Sequence, residues 1–320
     1  MKINLDVLKK LERSIDTLNP EGGQVPINIL GYGEISLVFE LVNDPEKLAY
    51  KRIPIFDTEK QVKRHIWAYN EYNRILQKDI GLNLPDYDVA WFKDDRGNIQ
   101  FYCVQEKIPA ESVGNRVIHV LPKQDIFNLV LLAMREMKKV WSFAKNNKKI
   151  DVGLDGQISN FAVIGFNPNS PKIDMDTKLC YLDTSTPMFR INSAEAMEAV
   201  LFLKSTPWFL SPLVKAAFLD EVIDRYYDWR LVTIDLIANF FKEQRPELIP
   251  GIIRLINKFF KDEASEFNMD PITFIEVDKY YKNDKMIWVI FQNARKIDRY
   301  IKTKLTHKKY NFYLPGKIQR

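Results

Sequence analysis

The chain is poor in the residues that build metal cages and disulfide frameworks. Its 320 residues include two cysteines and three histidines. Cys103 and Cys180 both lie inside apolar, strand-like runs and read as buried thiols. Two cysteines cannot form a four-thiolate cage, and His65, His119 and His307 are too few for a histidine-rich metal site. Long hydrophobic runs are missing too, since no segment approaches the ~20 apolar residues of a membrane span. Residues 1–19 alternate charge with Leu5, Leu8, Leu11, Ile15 and Leu18, which is amphipathic helical spacing and not the unbroken apolar stretch of a signal peptide. A soluble, cytoplasmic protein is expected. Repeats and low-complexity stretches are absent. Charge of one sign is not in large excess, with 47 Lys and Arg against 42 Asp and Glu. The net +5 suits an anionic ligand and does not require nucleic acid.

What is present is an ordinary globular balance, 46% hydrophobic and 28% charged, on a chain long enough for two domains or one two-lobed unit. The first third alternates like strands. Apolar runs at 27–30, 35–41 and 48–55 are separated by Gly31-Tyr32-Gly33 and by Asn43-Asp44-Pro45, predicting three antiparallel strands. Residues 58–80 have helical spacing with Gly81 as a stop. Strands are predicted again at 87–92 and 99–106, around the turn Asp94-Asp95-Arg96-Gly97-Asn98. After Pro109 the character changes. Residues 122–146 form a long helix with Ile126, Leu129, Val130, Ala133, Met137, Val140 and Trp141 on one side. Residues 167–176 read as an exposed hairpin or loop, and 193–303 as helical, interrupted near Pro207, Pro212, Pro246, Pro250 and Pro271. The expected division is a β-rich 1–108 and a helical 109–320.

Five features stand out, each with a bland reading beside it. Gly31 and Gly33 form a turn whose amides can approach phosphates without a side-chain clash, though such turns are common in plain hairpins. Lys51 lies in an apolar strand, where a solvated lysine is the simpler account. Glu71 has apolar helical neighbours in Trp67, Ala68 and Ile75. A carboxylate on a buried face needs a partner, and Lys51 is the candidate; a glutamate at the edge of the face is the alternative. Asp155 to Asn160, and Asp183 at the end of Leu179-Cys180-Tyr181-Leu182, each place polar residues against an apolar run. Singly, both are turn formers.

Order and spacing bind these together. Lys51 lies on the third predicted strand, 20 residues beyond Gly31, and Glu71 lies 20 further on along the first helix after it. Asp155 and Asn160 are five apart, and Asp183 comes after a strand-like run beyond them. In this the chain resembles the protein-kinase-like superfamily, whose signature is a glycine loop, a strand lysine, a helix glutamate, an Asp-x-x-x-x-Asn loop and a metal-binding Asp. The resemblance covers residues 27–186. It implies an α+β, two-lobed fold with a small antiparallel β lobe carrying one helix and a larger, mainly helical lobe. It implies ATP and Mg2+ as cofactors. Gly31, Gly33 and Ser36 would cover the phosphates, and Lys51, fixed by Glu71, would hold them. Gln105, Glu106 and Ile108 would belong to the hinge that meets the adenine. Asp155 would take the acceptor proton, and Asn160 and Asp183 would bind magnesium.

The departures matter. Ser36 replaces the third glycine, Gly153 replaces the histidine two residues before the catalytic aspartate, and the metal tripeptide is Asp183-Thr184-Ser185. No Ala-Pro-Glu segment comes after it. These point away from regulated protein kinases and toward the aminoglycoside phosphotransferase and choline kinase-like branch, hence to a small-molecule hydroxyl acceptor. The alternative is a catalytically silent nucleotide sensor or scaffold with a protein partner. The basic, aromatic tail (Lys302, Lys304, Lys308, Lys309, Lys317, Arg320, with Tyr310, Phe312 and Tyr313) raises nucleic acid or an anionic membrane surface, but reads better as a solvated helix end and a docked tail. Tyr226-Tyr227-Asp228-Trp229-Arg230 reads as core with a buried Asp228–Arg230 environment, although its rings would also suit a cation in an acceptor pocket.

Overall fold

The computed structural model describes residues 1–211 and 223–314. Pro212, Lys317 and Arg320 lie outside them. Five antiparallel strands form one sheet: β1 Ile27–Tyr32, β2 Leu37–Leu41, β3 Leu48–Arg52, β4 Tyr87–Lys93 and β5 Ile99–Glu106. Their order is β1-β2-β3-β5-β4, so the first three pair in sequence, as expected. Alternation gives the sheet two apolar faces. Leu37, Phe39, Leu48, Tyr50, Tyr102 and Val104 pack against Leu8, Leu11 and Ile15 of and just beyond helix α1, Leu5–Ser14. On the other face Ile53, Phe101 and Cys103 pack against Val62 and Tyr69 of α2, Glu59–Arg74.

Thr58 starts α2 with a reciprocal capping box to Gln61, satisfying amides that the first turn leaves free. The last turn widens at Ile75–Ile80, and Gly81 at φ 84° ends it in the left-handed region that glycine tolerates. The turn at the first hairpin is Gly33 to Ser36; Gly31 and Tyr32 remain in β1.

Beyond the sheet, α3 Lys123–Asn146, α4 Trp229–Lys242, α5 Ile249–Asp262 and α6 Phe274–Tyr300 build the helical lobe. The predicted apolar side of α3, Ile126 to Trp141, is buried in its core with Phe240, Phe259 and Phe260. Short strands β6 Ile150–Val152, β7 Phe161–Val163, β8 Leu179–Tyr181, β9 Phe189–Ile191 and β10 Ala194–Glu195 lie between α3 and α4. The expectation of helix from 193 onward therefore fails at its start, where β10 and a 3-10 segment, Ala199–Ser205, stand. The fold is α+β and two-lobed, with the element order expected: the sheet with α2 between its third and fourth strands, then the helices.

The C-terminal tail returns to the sheet. The Thr17 hydroxyl donates to the Tyr310 carbonyl at 2.7 Å, and the Arg52 guanidinium to the Asn311 carbonyl at 2.8 Å. Arg52 also holds the carboxylate of Glu12 on α1, the two side chains being 4% and 1% exposed. Burial pushes the Glu12 carboxyl up, but Arg52 and the Tyr102 hydroxyl outweigh it and hold it below the ordinary value. Cys103 and Cys180 are free and buried, and burial raises both thiols to about 12.

Candidate active site

Sheet and helical lobe meet where β3 faces the loop after β8. Lys51 Nζ lies 2.8 Å from Asp183 Oδ1. Their side chains are 23% and 27% exposed, so the pair is shielded but reachable. Burial raises the Asp183 carboxyl; the Lys51 ammonium and the Ser185 donors more than reverse this and hold it below its usual value. Asp183 is thus an anion at neutral pH.

Glu71 is not part of this pair. Both its oxygens accept from Arg74, at 2.8 and 2.9 Å, one turn along the outside of α2. Of its apolar helical neighbours Ala68 and Ile75 are buried and Trp67 is 48% exposed, so Glu71 stands at the edge of the buried face. At 100° per residue the inward face of α2 carries His65, Ala68, Tyr69, Tyr72 and Asn73. From that face the Tyr72 hydroxyl donates to the Gly153 carbonyl at 2.9 Å, and His65 packs against the Ser185 backbone. Burial lowers the His65 imidazole to about 4, so it is neutral.

Asp155 sits in the loop between β6 and β7. Its Oδ1 accepts the Gln157 N–H at 3.2 Å. Asn160 donates its amide to the Asp155 carbonyl at 3.1 Å, which leaves its own oxygen for a cation. The backbone carbonyl of Asn160 receives the Leu182 N–H at 2.8 Å, fixing this loop to the one bearing Asp183. Burial, then the nearby Asp235 and Asp183 carboxylates, raise Asp155 to about 7.

Gly153 has a structural cause. A Cβ there would lie 3.0 Å from the Tyr226 carbonyl oxygen, which also accepts the Leu154 N–H. The backbone at Tyr226 fills the space a histidine side chain would need.

The first hairpin closes through the Gly33 N–H to the Ser36 carbonyl at 3.0 Å, and a Cβ on Gly33 would sit 2.9 Å from Ser36 Oγ. Gly31 has open space on its Cβ side. At the hinge the arrangement differs from expectation. Gln105 turns its amide to the Leu182 carbonyl at 3.1 Å. The N–H groups of Glu106 and Lys107 are taken by the carbonyls of Asp86 and Lys47. Among the described residues no backbone acceptor takes the Ile108 N–H.

A family model described as "Family of unknown function (DUF6206)" matches residues 10–299. The chain belongs to that family. No curated protein matches it in sequence. Solved structures similar to it include WaaP in complex with acyl carrier protein, at 11% identity, covering 80% of this chain and 90% of that one, with a TM-score of 0.32. The GDP complex of wild-type aminoglycoside 2'-phosphotransferase-IIIa gives 13% identity, 80% and 98% coverage and a TM-score of 0.32. The complex of Neurospora crassa PAN2 with PAN3 (pseudokinase and C-term) gives 10%, 91%, 77% and 0.29. Likeness at this level decides nothing about activity, which has to be argued from strand order and side-chain placement.

Several site residues of this family member carry no motif. Asp235 on α4 is 5% exposed and accepts the Gln157 side-chain amide at 3.0 Å. Lys242 approaches it at 3.6 Å and Asp284 at 3.2 Å. A cavity of about 10 Å³, room for roughly one water, is lined by Asp155, Asp235, Arg225, Tyr226 and Tyr280. Tyr226 is therefore a wall of the site and not plain core. Asp228 is exposed and caps α4, and Arg230 pairs with Glu276 at 2.6 Å, so the buried Asp228–Arg230 environment does not exist. The dense aromatic run hinted at Tyr226; nothing in the sequence marked Asp235, whose partner is 78 residues away.

Proposed function

We propose that this chain is an ATP-dependent phosphotransferase acting on a small-molecule hydroxyl. The observation that carries the reading is the 2.8 Å Lys51–Asp183 pair, with Asp155 and Asn160 on a loop tied to the one bearing Asp183. The donor set suits magnesium, since hard cations select oxygen ligands and magnesium takes few from protein. Asp183 supplies an anionic oxygen and Asn160 a neutral one, its nitrogen being committed to Asp155. Magnesium and ATP, when bound, would supply a charge-neutralised γ-phosphoryl group for in-line transfer.

The chain's own residues divide the remaining work. Lys51 is placed to trade its bond with Asp183 for phosphate oxygens. The end of β1 at Gly31 and the turn from Gly33 to Ser36 let backbone approach those oxygens, and the Ile108 N–H is the donor for a base edge. Asp155, raised to about 7, is poised to accept the acceptor hydroxyl's proton near neutrality. A small acceptor is favoured because only a short segment separates Asp183 from β9 at Phe189, too little for an extended loop to dock a polypeptide.

The test is magnesium-dependent ATP turnover with an acceptor screen. Asp155→Ala should keep nucleotide affinity and lower turnover by about 10²–10⁴-fold; Asp183→Ala should weaken magnesium-dependent nucleotide binding. The pairing of Glu71 with Arg74, and of Lys51 with Asp183 instead, favours a second reading, a silent nucleotide sensor or scaffold. Nucleotide binding without turnover for any acceptor would select it.

A further inference from the structure

Helix α6 is apolar on two sides, and among the described residues only one of them is covered. Val277, Tyr281 and Ala294 face inward and are buried. On the outer side Met286, Ile290, Ile297 and Tyr300 are 56%, 56%, 54% and 60% exposed, with Val289 and Ile287 beside them at 48% and 60%. Spacings of four, seven and three put the first four on one stripe, roughly 21 Å long at 1.5 Å per residue. Scattered exposed apolar residues are ordinary; an aligned stripe of this length marks an interaction surface.

Charge says what covers it. Residues 274–309 contain ten Lys and Arg and four Asp and Glu, a net +6, whereas the whole chain carries +5. The rest of the molecule is therefore at −1, and the entire positive excess sits on the segment with the stripe. Lys279 and Lys304 bracket the stripe along the helix, and Lys296 flanks it; all three are exposed. A second copy meeting the same face would bring two +6 segments together, at an electrostatic cost. An apolar stripe rimmed by lysines is complementary to an anionic lipid headgroup layer with acyl chains just beneath. The helix cannot enter further, because its inner face is packed on the helical lobe, and no described helix is long and apolar enough to cross a membrane.

We propose that α6 lies flat on an anionic lipid surface, with Met286, Ile290, Ile297 and Tyr300 inserted and the lysines on the headgroups. This is independent of any chemistry in the cleft. The experiment is co-flotation of the full chain with vesicles of phosphatidylcholine alone and of phosphatidylcholine mixed with phosphatidylglycerol, at low and high salt. Binding is expected to the mixed vesicles only, weakening as salt rises. Ile290→Ser with Ile297→Ser, and separately Lys296→Glu with Lys304→Glu, should each weaken it at least about ten-fold. Both pairs are exposed, and an unchanged melting temperature verifies the fold. Absence of binding to mixed vesicles at low salt would overturn the proposal. So would a concentration-dependent dimer in light scattering that the Ile290→Ser, Ile297→Ser protein loses, since the face would then join two copies.

Discussion

Lys51 and Asp183 face each other across the cleft at 2.8 Å, and each is the other's only ion-pair partner among the described residues. This makes the carboxylate doubly dependent on the lysine, for charge compensation and for position. Lys51→Met should therefore weaken nucleotide binding in magnesium and raise the Asp183 carboxyl, since burial remains and its main opponent is gone. Calorimetric titration of nucleotide at several pH values measures both. Unchanged affinity from pH 5 to 8 would remove Lys51 from the site.

Glu71 should be dispensable. Among the described residues it bonds only to Arg74, across a partly exposed helix surface, where such pairs contribute about 0–1 kcal/mol. Glu71→Ala is expected to change stability by less than about 1 kcal/mol and turnover by less than about two-fold. A drop in turnover like that of Asp183→Ala would show that α2 rotates to bring Glu71 inward during the reaction.

Asp155 predicts opposite pH trends for activity and stability. Its carboxyl stands at about 7 in the folded chain, above the ordinary aspartate value of 3.8. Between those values the folded state holds a proton the unfolded state has released, so the contribution to stability falls as pH rises. Asp155→Asn removes that penalty. It should raise the melting temperature at pH 8, with the gain vanishing near pH 4. Turnover of the unmodified chain should rise through pH 7 as the base is freed. Asp235→Asn, by deleting a neighbouring charge, should move that midpoint downward. A destabilised Asp155→Asn at pH 8 would contradict the assignment.

Gly114 supports the loop that carries Asn160. A Cβ there would lie 2.2 Å from the Ile158 carbonyl oxygen, a backbone atom in the turn Ile158–Asn160. Gly114→Ala must shift that turn, at roughly 1–3 kcal/mol of overpacking. Denaturant unfolding should register the loss, and magnesium-dependent nucleotide affinity should fall with it. Retention of both would mean the loop yields freely.

The sheet and the order of its site residues were legible in the sequence because both are local. Period-two alternation marks each strand, and turn-forming residues sit between neighbours that then pair, so Lys51 could be placed on β3 from its own surroundings. Asp155 and Asn160 share one short loop, tied by a single hydrogen bond. Which way Glu71 turns was not legible, because its neighbours Ala68 and Ile75 are covered and Trp67 is not, and spacing alone does not say to which side a carboxylate at that edge goes. Nor were Asp235, the Tyr226 backbone behind Gly153, or the tail on Arg52, since each meets its partner across a large separation in the chain. Residue type and spacing determined the fold and the candidate chemistry. Which carboxylate holds Lys51, and which face of α6 is left bare, were decided only when the helices packed, because burial belongs to the assembled lobes and not to any one segment.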